Sequence, residues 1–325
     1  MKLSEKLLSI EDLSVGIPFR GGAVRAVDGV SLSLERGKTL AIVGESGCGK
    51  STLCRAIMGI LPSAATVKGR INFFGRDLSR LSQRELNEIR GRRIGIVFQD
   101  PLSSLNPVMK ISAQIGEPMA HHLGMTARQA RERAISLLGA VGIQSPAERI
   151  DSYPHQLSGG MRQRVAIAIA LACDPELLIA DEPTTALDAS VQTEILNLLG
   201  RLQEERNMGM ILVTHDLGVV AGRAHETAVM YGGRIVEYAP TGELFRRMLM
   251  PYTKALFDAA PRLDDSPHRD LPVIAGAPPN LASLPDGCRF APRCARAREG
   301  CLCEEPPLVE HERKDHRYAC WFPLD

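Results

Sequence analysis

The chain has 325 residues, of which 44% are hydrophobic and 24% charged, and its formal net charge is +1. That is enough apolar material for one large domain with an appendage, or for two domains. A near-neutral balance supplies no positive field to gather a polyanion, and aromatic residues at 4% offer few platforms for stacking bases, so nucleic acid is not an expected partner.

The opening MKLSEKLLSIEDL mixes charges into its apolar residues and lacks the apolar core and small-residue cleavage site of a secretory signal. The longest apolar run, VAIAIALAC from Val165, is about half the length needed to cross a membrane. A cytosolic, reducing location is therefore expected, with any membrane role held through partners. In such a location clustered cysteines bind metal more often than they pair as disulfides.

The first informative stretch is TLAIVGESGCGKSTLCRAIMGI. Leu40 to Val43 reads as a buried strand that turns through a glycine-rich loop into a helix. Gly44, Gly47, Gly49, Lys50 and Ser51 satisfy the phosphate-loop pattern G-x-x-x-x-G-K-[ST]. Glycines let backbone N–H groups wrap a phosphate closely, and the helix N-terminus adds positive potential. Lys50 suits the β- and γ-phosphates and the Ser51 hydroxyl suits Mg²⁺. The candidate nucleotide contacts are Gly44, Ser46, Gly47, Cys48, Gly49, Lys50, Ser51 and Thr52. Cys48 reads as a small residue tolerated in the loop rather than as a redox centre.

Strands are expected at GRINFFG and GIVFQD. PLSSLNPVMKISAQIGEPM then opens a mostly helical segment, continued by TARQARERAISLLGAVGI. Ala134, Leu137, Leu138 and Val141 share one helical face there. In LSGGMRQRVAIAIALA, Ser158, Gly159 and Gly160 lead into a long helix. LLIADEPTTALDAS supplies a second buried strand, Leu177 to Ala180, ending in Asp181 and Glu182. An Asp at such a strand end suits Mg²⁺, and the adjacent Glu can act as a general base on water.

Gly44–Thr52, Gln99, LSGGM, ADEP, ALD and VTHD occur in that order, and together they resemble the ATP-binding cassette (ABC) family of transport ATPases. The resemblance runs from about residue 7 to 260 and implies an α/β P-loop NTPase. Its RecA-like core would carry an antiparallel β part and an inserted helical subdomain, at about residues 101–160. Two such units would close head to tail around two ATPs. Gln99 resembles the glutamine that senses Mg²⁺ and the γ-phosphate, Asp181 the Mg²⁺ aspartate (with Ser51 and Gln99) and Glu182 the catalytic base. His215 resembles the switch histidine and Asp188 the aspartate at the dimer seam. Ser158, Gly159 and Gly160 would contact the partner's ATP. The expected catalytic set is Glu182, His215, Gln99 and Lys50. The aromatic that usually stacks on adenine is not obvious, since Ile17 stands near its place and Phe19 two residues on.

After MPYTKALFDAAPRL the composition turns rich in Pro, Gly and Asp, as in an extended linker. Cys288, Cys294, Cys301, Cys303 and Cys320 follow. Four thiolates suit zinc or an iron–sulfur cluster, but the tight C-x₂₋₄-C knuckles usual for zinc are absent. His311 and His316 are further zinc candidates. A metal holding distant thiolates would fold a tail too small to bury its own core. The charges of RARE and EEPP around the cysteines read as a solvated surface.

The tail resembles the C-terminal extension of the family's dipeptide and oligopeptide importer ATPases, as do QDPLSSLNP, YPHQLSGGM and ADEPTTALD. That resemblance implies a [4Fe-4S] cluster on Cys288, Cys294, Cys301 and Cys320, with zinc as the alternative. Cys303 is then supernumerary, although able to exchange with Cys301 in one flexible turn. The expected division is an ATPase domain over 1–260 and a metal-stapled extension over 261–325. The expected function is to hydrolyse ATP and power uptake of dipeptides, oligopeptides or related solutes such as nickel complexes, glutathione or opines. The implied partners are a second, homologous ATPase subunit forming a heterodimer, two transmembrane permease subunits and an extracytoplasmic solute-binding protein. The chain would lie peripherally on the cytoplasmic face of the cell membrane. Alternatives are a soluble ABC ATPase acting on ribosomes or DNA, and an iron–sulfur redox-sensing ATPase.

Overall fold

Strand-forming stretches rich in Leu, Ile and Val alternate with helices through most of the chain. The computed structural model describes residues 6–19, 22–185, 187–260, 272–312 and 315–324, without the side chains of 102 and 103. Much of the expected linker, 261–271, lies outside the described residues. Two long strands lead, β1 (Lys6–Phe19) and β2 (Gly22–Glu35), followed by β3 (Thr39–Val43), β4 (Thr66–Phe73) and β5 (Arg76–Asp77). β6 (Ile94–Val97), β7 (Leu177–Asp181) and β8 (Gly209–Thr214) come next. β9 (Glu226–Tyr231), β10 (Arg234–Pro240), β11 (Val309–Glu310) and β12 (Arg317–Tyr318) complete the described set.

The chain forms two compact units, each assembled from separate segments. The first comprises Met1–Leu7, Glu35–Lys38 and Arg80–Leu212, and the second Leu8–Leu34, Thr39–Ser79 and Val213–Asp325. In the first unit β6 and β7 pair in parallel, Ile94 opposite Leu177 and Val97 opposite Ala180. Every residue of β7 is buried, the pattern of a parallel strand covered on both faces. A Cβ on Gly95 would lie 2.3 Å from the Ala170 carbonyl, so glycine lets the helix Gly159–Ala170 approach β6 closely. The helix Ala127–Ala140 begins with a reciprocal cap between Thr126 and Gln129. Ala134, Leu137, Leu138 and Val141 are buried, as their spacing predicts.

In the second unit β2, β1, β4 and β5 form a sheet in that order, antiparallel between β1 and β4 and between β4 and β5. Ile10 lies opposite Ile71 and Val15 opposite Val67, with a register shift between Glu11 and Ser14. β3 pairs in parallel with β9, and β9 antiparallel with β10. β12 and β11, from the C-terminal extension, continue this mixed sheet beyond β10. Val43, Val229, Tyr231, Tyr252 and Phe290 share one core cluster, so extension and strands bury a single apolar mass. Among the described residues no helix is long and apolar enough to cross a membrane.

A candidate nucleotide site

The phosphate-loop candidates lie in the second unit, where the fully buried β3 delivers the chain into the loop. A Cβ on Gly44 would sit 2.2 Å from the Met230 carbonyl oxygen. On Gly49, at φ +108°, it would sit 2.1 Å from that of Ala26. Gly47, at φ +80°, has nothing within 4 Å of that position. Two glycines are thus demanded by close packing beneath the loop, and the third leaves its crest open. The helix Lys50–Met58 starts from Gly49 with no side chain capping its N-terminus, where anions are favoured.

Ser46 and Gly47 are exposed, and Ser51 and Thr52 are half-buried in the helix's first turn. Lys50 is buried and donates to the carbonyls of Gly44 at 2.6 Å and Glu45 at 3.0 Å. Cys48 is also buried, and burial pushes its thiol up despite the nearby Lys50 ammonium. It fills the underside of the loop as a neutral thiol. His215 is exposed directly after Thr214, the last residue of β8. Phe19 is exposed at the end of β1.

The other candidates lie in the first unit. Asp181 ends β7 and is 5% exposed. Glu182 has φ +47°, a left-handed conformation uncommon for a residue with a side chain. Its Oε2 accepts from Gln99 Nε2 at 3.1 Å and from Thr185 Oγ1 at 3.0 Å. Gln99 and Glu182, 83 positions apart, therefore meet. Thr185 escaped the sequence reading because a threonine after a proline turn carries no signal by itself.

Ser158 Oγ accepts from the Met161 N–H at 3.3 Å and caps the helix Gly159–Ala170. A Cβ on Gly160 would meet Val191 Cγ1 at 3.0 Å, which ties this helix start to that of Ala189–Arg206. Asp188 caps the latter, accepting from Ser190 Oγ at 2.6 Å and the Val191 N–H at 3.0 Å. Those two bonds hold its carboxyl below the usual range. Within the first unit Asp181 and Gln99 offer carboxylate and amide oxygens, and within the second Ser51 offers a hydroxyl, all hard donors of the kind Mg²⁺ takes, while the open crest at Gly47 suits a phosphate.

Residues 27–185 match the family described as ABC transporter, and 236–301 the family described as oligopeptide/dipeptide transporter, C-terminal region. The dipeptide transport ATP-binding protein DppD of Bacillus subtilis is 47% identical over 98% of this chain and 95% of its own. The chain belongs to the ABC transporter ATPases, in their dipeptide/oligopeptide branch. The oligopeptide transport ATP-binding protein OppD of Salmonella typhimurium is 45% identical over 98% of this chain and 94% of its own. Among solved structures, a dimeric cassette, MJ0796, in a post-hydrolysis state with ADP and Pi superposes with a TM-score of 0.65. It is 29% identical over 72% of this chain and 98% of that one. The cbiO1 protein of Clostridium perfringens gives 0.62 at 33% identity, over 74% of this chain and 91% of that one. The fold is thus the ABC cassette, and neither the ribosome- or DNA-directed reading nor the redox-sensing one gains support.

In this ABC ATPase the extension departs most from expectation. Cys288, Cys294, Cys301 and Cys320 line one small apolar cavity beside Phe290 and Trp321. Among the described residues, however, no group of three or more His, Cys, Asp or Glu side chains is arranged to hold a metal ion. The metal-stapled extension, by [4Fe-4S] or zinc, is therefore not supported. Burial pushes the Cys288 thiol up, and that of Cys320 to about 11, as expected of neutral thiols packed in an apolar wall. His316, the other zinc candidate beside His311, has its Nε2 2.8 Å from Oε1 of the fully buried Glu237. Cys301 and Cys303 do not share a flexible turn. Both lie on the helix Glu299–Cys303, with Cys301 buried and Cys303 exposed.

Packing and ion pairs hold the extension. Phe290 packs edge-on to Tyr231 and against Tyr252, with centroids 5.3 Å away in both cases. Arg289 pairs with Asp28 and, at 2.7 Å, with Glu305, which also pairs with Arg234 at 2.7 Å. Glu305, expected on a solvated surface, is thus part of a largely buried network. Glu237 accepts from the N–H groups of Leu249 at 2.6 Å and Met250 at 3.1 Å.

Proposed function

We propose that this ABC ATPase powers import of dipeptides or short oligopeptides across the cell membrane. The observation that carries the reading is near-full-length similarity to both dipeptide and oligopeptide transport ATP-binding proteins. Nickel complexes, glutathione and opines remain the competing cargoes to be tested beside them.

The site roles belong to the same proposal. Glu182 takes the proton of the attacking water, and Gln99 and Thr185 orient its carboxylate. Lys50 and the loop from Gly44 to Thr52 bind the phosphates, and His215 contacts the γ-phosphate. Mg²⁺, held by Ser51, Asp181 and Gln99, would supply positive charge against the phosphate oxygens. Ser158, Gly159, Gly160 and Asp188 serve the ATP of a second, homologous ATPase subunit. Two permease subunits and an extracytoplasmic binding protein complete the assembly, which keeps this chain peripheral on the cytoplasmic face. Residues 1–260 act as the ATPase domain and 261–325 as the extension. A [4Fe-4S] cluster on Cys288, Cys294, Cys301 and Cys320 rests on their shared cavity alone, and iron, sulfide and zinc analysis of anaerobically purified protein tests it.

The deciding experiment is ATP hydrolysis by the purified complex in vesicles, with and without peptide. Peptide should stimulate turnover, and Glu182→Gln should lower kcat by about 10²–10⁴-fold while ATP still binds. Stimulation by a nickel complex or glutathione but no peptide overturns the cargo. Unchanged turnover in Glu182→Gln overturns the base.

A further inference from the structure

The geometry points to Arg293, in the C-terminal extension, as a positioning residue for ATP binding that acts on the phosphate loop through Glu45. Glu45 is the second residue of that loop, a position whose identity the G-x-x-x-x-G-K-[ST] pattern leaves open. Its three polar groups are all engaged. The N–H donates to the Tyr252 hydroxyl at 2.9 Å, the carbonyl accepts from Lys50 Nζ at 3.0 Å, and the carboxylate receives Arg293. Arg293 grips it with both ends of the guanidinium, Nη1 to Oε2 at 2.6 Å and Nη2 to Oε1 at 2.9 Å. A planar two-bond clamp fixes direction as well as distance, which a lysine cannot do.

The arginine is itself held. Its side chain is 5% exposed, its Nε donates to the Ala275 carbonyl at 2.8 Å, and its Nη1 lies 3.3 Å from the Tyr231 hydroxyl. Gly276, at φ +74°, lets the chain pass close by, since a Cβ there would lie 3.3 Å from Arg293 Cγ. Pro278 and Pro279 then line a small cavity with Glu45, Gly47 and Cys48. An extension with no motif for nucleotide thus reaches the loop's flank and fixes the residue whose carbonyl meets the lysine ammonium. Its aromatic floor of Tyr231, Tyr252 and Phe290 makes that grip stiff.

The loop grips phosphate before and during the reaction, so loosening it removes uniform binding and raises KM more than it lowers kcat. This rests on the chain's ATPase activity, so wild type and Lys50→Ala are measured in the same preparation. Wild type must turn over and Lys50→Ala must not, whatever Arg293 does. In the full chain purified within its complex, Arg293→Ala should raise the KM for ATP by about tenfold, with kcat within about twofold. Arg293→Lys should recover part of that loss, and Glu45→Gln should reproduce it. Glu45→Gln with Arg293→Ala should be no worse than either alone, because both remove one interaction. Glu45→Gln keeps shape and volume, so it carries the test if Arg293→Ala fails to fold. An unchanged KM in folded Glu45→Gln or Arg293→Ala overturns the proposal, as do effects that multiply in the double variant.

Discussion

At the scale of single residues, the site depends on backbone conformations that side-chain chemistry alone does not announce. Glu182 sits in the left-handed region, where a non-glycine residue costs on the order of 1–3 kcal/mol. Its carboxylate accepts from Gln99 and Thr185, an orientation that fits the proposed role as base on water. Gly49 shows the complementary demand. It combines φ +108° with a Cβ position 2.1 Å from a backbone oxygen that cannot rotate away. Gly49→Ala should therefore destabilise the protein by on the order of 3 kcal/mol and abolish nucleotide binding. Thermal melts and nucleotide titrations check this, and a melting temperature within a degree of wild type would refute it. The glycine pattern was legible in sequence because phosphate loops require glycine. Glu45, Thr185 and Arg293 were not, since each is an ordinary residue whose role arises from a partner distant in the chain.

At the scale of elements, helix caps and apolar periodicity carried most of the information. The face of Ala134, Leu137, Leu138 and Val141 is buried, and the strands expected before the phosphate loop and before Asp181 are present. The extension resisted the same treatment. A five-residue helix leaves too little periodicity to separate its faces, yet Glu299–Cys303 sets Cys301 inward and Cys303 outward. One consequence is chemical. In native protein a maleimide should label Cys303 rapidly while Cys301 and Cys320 react slowly, the latter also because its thiol is pushed up to about 11. Cys303→Ser should remove the fast phase, and a fast phase that survives would place the exposed thiol elsewhere.

At the scale of the whole molecule, residues far apart in the chain share one core and one charge network. β12 joins β10 while Arg289 reaches Asp28, 261 positions away. Burial alone would raise the Asp28 carboxyl, but hydrogen bonding and charge from Arg289, helped by Arg25 and Arg234, more than offset it and hold the pKa below 3.8. A depressed carboxylate stabilises fully above its ordinary value, and that stabilisation fades as pH falls through the lower folded value. At pH 7 Asp28→Asn should be less stable by on the order of 1–3 kcal/mol, because the buried Arg289 guanidinium loses one of its two carboxylate partners and keeps only Glu305. The gap should close as pH drops below 3.8. Denaturant melts from pH 7 to 3 measure it, and a gap that does not narrow would remove Asp28 from the acid response.

What the sequence determined by itself was the cassette: the ordered motifs, the nucleotide they bind and the branch of the family, because those functions need particular residue types at short, fixed spacings. Only the tertiary structure decided how the extension is held and what it touches. Four clustered cysteines suggested a metal staple, and the folded chain adds an aromatic core, a shared sheet edge and buried arginine–carboxylate pairs that hold the extension. Such contacts join residues hundreds of positions apart, and no local pattern specifies which arginine will meet which acid.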